Sequence, residues 1–146
     1  SVWLQFQGGK GMGIQFDRPV EAMAAITWLI CSADDVGSVE ERDFLHAHVR
    51  NTQDFSGMSR DDFCTLLAST RTKLFKNFDN NGFCLAPPAI DEVISSAGAI
   101  LNGDQKFQAY VMAVELAKSD GLVEEEKVIL EKLRSRFQIS FDMTNE

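Results

Sequence analysis

The apolar positions of this chain fall into helix-length blocks, separated by short breaks containing Asp, Asn and Gly. From Pro19 the run Val20, Ala22, Met23, Ala24, Ala25, Ile26, Trp28, Leu29, Ile30 and Cys31 predicts a first helix over about 19–31. Nearly every position is apolar, so this helix is expected to be buried on most sides. Proline suits a first helical turn, and Asp34-Asp35-Val36-Gly37 ends the run. A second helix is expected over about 39–50, with Phe44, Leu45 and Val49 inward. Ser59-Arg60-Asp61-Asp62 resembles a capping box with Asp in place of Glu. It opens a third helix reaching about residue 78, with Phe63, Leu66, Leu67, Leu74 and Phe75 on its apolar face. After the turn signal Asp79-Asn80-Asn81-Gly82, Pro87-Pro88 opens a fourth helix to about 101. Asn102-Gly103-Asp104 breaks it and caps a fifth over about 105–118, which carries Phe107, Tyr110, Val111, Met112, Val114 and Leu116. Ser119-Asp120-Gly121 leads to a sixth over about 124–137, with Val128, Ile129, Leu133 and Phe137 inward.

Residues 1–17 differ. Val2-Trp3-Leu4-Gln5-Phe6 and Ile14-Gln15-Phe16 flank Gly8-Gly9-Lys10-Gly11-Met12-Gly13, a pattern that suits either two short strands around a turn or an irregular arm. Met12 and the spacing exclude a phosphate-binding P-loop. The expected organisation is an N-terminal arm over 1–17 and one all-α domain of about six helices over 18–146.

At 146 residues the chain has the size of one domain, large enough to fold on its own core without a disulfide or structural metal. Apolar content of 45% with 25% charged residues is ordinary for a globular protein. The formal net charge of −8 argues against nucleic acid and anionic membrane surfaces, and suits cations or basic partners. Cys31, Cys64 and Cys84 form no CxxC pair, and Cys31 and Cys64 are expected to be buried reduced thiols. A reducing compartment follows. The longest apolar stretch, 20–33, is too short to span a membrane, and the N-terminus lacks the pattern of a signal peptide.

The chain also repeats itself. Gly37-Ser38-Val39-Glu40-Glu41 reappears as Gly121-Leu122-Val123-Glu124-Glu125, and in that register Phe44, Leu45 and Val49 match Val128, Ile129 and Leu133. Upstream the register slips, because Asp34-Asp35-Val36 faces the lone Asp120. Each unit is a buried helix, a loop with Asp and Gly, a Val expected to anchor the loop in the core, and a helix opening with Glu-Glu. The expectation is two pseudo-repeated helix-loop-helix units packed together, each bringing a loop Asp near first-turn carboxylates. Three readings of these carboxylates stand open. They terminate helices and complement the helix dipole, at about 0.3–1 kcal/mol each. They bind a divalent cation; oxygen donors without His or thiolate suit Ca²⁺, Mg²⁺ or Mn²⁺ better than Zn²⁺. Or they form an acidic docking face for a basic protein partner.

On these two loops the chain resembles the TerB-like family, named for tellurite resistance. The stretch AYVMAVELAKSDGLVEEEKVILEKL carries the pattern best, and AMAAITWLICSADDVGSVEERDFLHAHV carries it less cleanly. The resemblance covers both ends of the domain and little of 51–103. It implies an all-helical cytoplasmic domain with two packed units and an acidic surface that binds divalent metal, in proteins linked to stress response. Transferred residue by residue, it points to Asp120 with Glu125 or Glu126, and in the first unit to Asp34 or Asp35 with Glu41. The extra Val36, and Arg42 in the position of Glu126, depart from the pattern and set the first unit apart.

Other chemistry is poorly supported. The segment from Asn77 to Gly82 has the sixth-position Gly of an EF-hand, but Pro88 stands where the bidentate Glu belongs. His46 and His48 are two residues apart and share no helix face. No nucleophile or phosphate-loop motif occurs. The expected function is a divalent-cation-binding sensor or scaffold rather than an enzyme. The alternative is a metal-free helical interaction module with an acidic docking face.

Overall fold

The computed structural model describes residues 14–33, 46–47, 49, 52, 55–82, 84–119 and 121–140. Five helices have defined bounds among them: α1 (Pro19–Ala33), α2 (Arg60–Asn77), α3 (Pro87–Ile100), α4 (Gly103–Ser119) and α5 (Glu124–Arg136). The described residues form no strand, only an isolated bridge between Asn80 and Leu85. The fold is all-α, as expected. Most of the helix expected over 39–50 lies outside the described residues; within it, residues 46, 47 and 49 are helical and Val49 is buried. The glycine-rich segment and everything else before Ile14 also lie outside.

Local chemistry sets the helix starts. In α1 the Glu21 carboxylate reaches back to accept the N–H groups of Asp17 (2.9 Å) and Arg18 (3.2 Å). In α2 the Ser59 hydroxyl accepts the Asp62 N–H at 3.1 Å, as its sequence foretold. Helix α3 opens on Pro87 and Pro88, where a missing N–H costs nothing. Helix α4 starts at Gly103, two residues earlier than expected. The reason is a reciprocal cap: Asn102 Oδ1 accepts the Gln105 N–H (2.8 Å) while Gln105 Oε1 accepts the Asn102 N–H (3.0 Å). Helix α5 ends with Ile139 N–H on the Arg134 carbonyl (2.9 Å) and Gln138 N–H on the Ser135 carbonyl (3.2 Å). Gln138 sits at φ +57°, the left-handed turn such an ending requires.

Helix α1 is the centre of the packing and touches all four other bounded helices. Its side chains from Ala22 to Ile30 are buried, which explains why its sequence lacks a polar face. Against it lies α4, whose Ala109, Ala113 and Ala117 are fully buried. At this contact Thr27 donates its hydroxyl to the Met23 carbonyl (2.9 Å) and lies 3.6 Å from the Met112 sulfur. A hydroxyl with an in-helix acceptor can be buried cheaply. On the α2 side Trp28 meets Phe75 edge-on at 5.4 Å, while Phe63 meets Phe55 in the same way at 5.3 Å. Ile14 and Phe16 are buried in the same core, and Lys73 donates to the Gln15 carbonyl at 2.9 Å.

Two packing expectations need correction. Val128 was expected inward on α5 but is 48% exposed; the buried stripe is Glu126, Ile129, Leu130 and Leu133, continued by Phe137. These positions follow the i, i+3, i+4, i+7 spacing, with a glutamate in the first apolar slot. Cys31 and Cys64 are half-buried rather than fully buried, as is Cys84. Phe107, counted among the apolar residues of α4, stands 36% exposed at its start.

Candidate functional site

Among the described residues, the carboxylates picked out from the sequence gather where α4 ends and α5 begins. Helix α4 closes with Ser119 donating its hydroxyl to the Leu116 carbonyl at 2.7 Å. Gly121 then takes φ +84° and donates its N–H to the Lys118 carbonyl at 3.3 Å. This conformation strains any residue with a Cβ. Leu122 packs against the core and Val123 is half-buried. The loop is therefore anchored first by Leu122, whereas the sequence had given that role to Val123. Val123 instead takes the position just before the helix, with an extended backbone.

Three consecutive glutamates follow, with different surroundings. Glu124 and Glu125 are exposed, and Glu124 lies 3.9 Å from Lys127. Glu126 turns inward. It is 2% exposed, and its Oε1 accepts the Val123 N–H at 3.1 Å. Val123 has no side-chain acceptor, so it cannot complete the reciprocal cap seen in α4. The same backward reach from the third helical position occurs with Glu21 in α1 and Gln105 in α4. Those two side chains are only half-buried. Capping alone therefore does not demand the burial found at Glu126. Periodicity overlooked this role because it counts only apolar residues. The available signal was Glu three residues after the last loop residue, ahead of an apolar run.

Of the six candidate ligands, Glu125 and Glu126 are thus adjacent in sequence, one facing solvent and the other the core. Asp34, Asp35, Glu41 and Asp120 lie outside the described residues, as do Val36, Val39, Glu40, Arg42, Phe44 and Leu45. Within the described residues, no group of three or more His, Cys, Asp or Glu side chains is arranged to hold a metal ion.

The sites set aside in the sequence have structural uses. In the loop after α2, Asn80 Oδ1 accepts the Gly82 N–H (3.1 Å) and Asn81 Oδ1 accepts the Cys84 N–H (2.8 Å). Asn81, the fifth position of such a calcium loop, thus turns its oxygen to the loop's own backbone. Arg71, stacked 4.3 Å over Phe75, fastens this loop by donating to the Gly82 carbonyl at 3.1 Å. His46 Nε2 lies 3.0 Å from the Met58 carbonyl, which can only accept, so this nitrogen carries the proton. The His46 ring rests 5.5 Å from Phe63. The side chain of His48 lies outside the described residues. No described helix is long and apolar enough to cross a membrane. No family model, curated protein or solved structure matches this chain.

Proposed function

We propose that this chain is a TerB-like helical domain that binds a divalent cation at the loop between α4 and α5, and serves as a sensor or scaffold rather than a catalyst. The observation that carries the reading is Glu126, a carboxylate 2% exposed at the start of α5 and bonded to Val123 N–H in the loop that contains Asp120. The bond to Val123 fixes the end of the loop against the first turn of α5, and a cation held by the same loop would complement the negative charge gathered there. In this reading Asp120 and Glu125 supply ligand oxygens, and Glu126 fixes the loop through Val123. Oxygen donors favour Ca²⁺, Mg²⁺ or Mn²⁺. The contact between α1 and α4, the first helices of the two units, and the recurrent backward cap support the paired-unit architecture that the family resemblance implies. Tellurite resistance and a stress-response role rest on that resemblance.

The test is thermal melting of the chelator-treated chain with Ca²⁺, Mg²⁺, Mn²⁺ and Zn²⁺ added singly. An ion binding only the folded chain adds about 2.7 kcal/mol at a hundredfold excess over Kd. The melting temperature should then rise with one oxygen-preferring ion and fall back on adding chelator. No shift with any ion at millimolar concentration removes the tight-site reading.

The acidic docking face is the second reading, favoured by the exposure of Glu124 and Glu125 in an acidic chain. Docking by charge weakens steadily with added salt and is indifferent to chelator.

A further inference from the structure

We draw no further inference here: the strongest candidate, the groove between α3 and α5 where half-exposed Val128 lies among Asp91, Glu131, Lys132, Ser135 and Arg136, offers one apolar side chain among charges already joined as Lys132–Asp91 (2.7 Å) and Arg134–Glu131 (2.6 Å), and nothing in the structure shows what covers it.

Discussion

Replacing Glu126 with Ala removes the side chain that ties the loop to α5. The lost bond joins a backbone N–H to a carboxylate at 3.1 Å, and bonds of this charged kind contribute about 1.5–3 kcal/mol. The carboxylate also lies in the first turn, where a negative charge gains from the helix dipole, by up to about 2 kcal/mol in favourable geometry. Truncation further leaves a void where a fully buried side chain stood. Against these losses stands relief from keeping a carboxylate out of water. The terms overlap, and the net expected loss is about 2–3 kcal/mol. For a chain of this length each kcal/mol shifts the melting temperature by about 3 °C, so Glu126→Ala should lower it by about 6–9 °C. Glu126→Gln keeps an acceptor oxygen and should fall between that variant and the parent. Glu125→Ala alters an exposed side chain and should move the melt by less than about 2 °C. Calorimetric melting in chelator, with no added metal, reads all three. If Glu126→Ala melts within about 2 °C of the parent, or Glu125→Ala costs as much, the inward carboxylate is not what holds this loop.

Two further outcomes follow from the same segment. Gly121→Ala should lower the melting temperature by about 3–6 °C, because a left-handed conformation costs a residue with a Cβ about 1–2 kcal/mol. The added Cβ would meet nothing within 4 Å, so Gly121→Asn, which tolerates this conformation better, should recover part of the loss. Val128→Lys should melt within about 2 °C of the parent, since Val128 is half-exposed, whereas Leu130→Lys should fail to fold or melt far lower, since Leu130 is buried. The opposite ranking would restore the register in which Val128 faces the core.

The helices were legible because local signals and tertiary demands agree. Pro19, Ser59 with Asp62, and Pro87 mark starts that the fold uses, and the unbroken apolar run of α1 foretold its central place. On α5 the sequence placed Ile129, Leu133 and Phe137 inward correctly, but it put Val128 in the stripe where Leu130 belongs. Glu126 holds the first slot of the buried stripe, and an apolar pattern assigns such a position to solvent. Its burial is set by tertiary packing, for which a chain pattern carries no signal. Asn102 was read as part of a break with a cap, but its exchange with Gln105 extends α4 by two residues. In the segment the sequence singled out, Gly121 turns the chain and glutamates begin α5. The sequence did not separate Glu125 from Glu126, since the difference between a solvent-facing and an inward carboxylate is one helical step of about 100°.

Cation binding at this loop is tested most directly by calorimetric titration of Ca²⁺, Mg²⁺ and Mn²⁺ into the chelator-stripped chain, in parallel with the Asp120→Asn, Glu125→Gln double variant. Saturable heat with at least one ion in the parent, lost in the double variant while its metal-free melting temperature is kept, is the expected result. No saturable heat in the parent, or equal heats in parent and variant, would contradict a cation site built on Asp120 and Glu125.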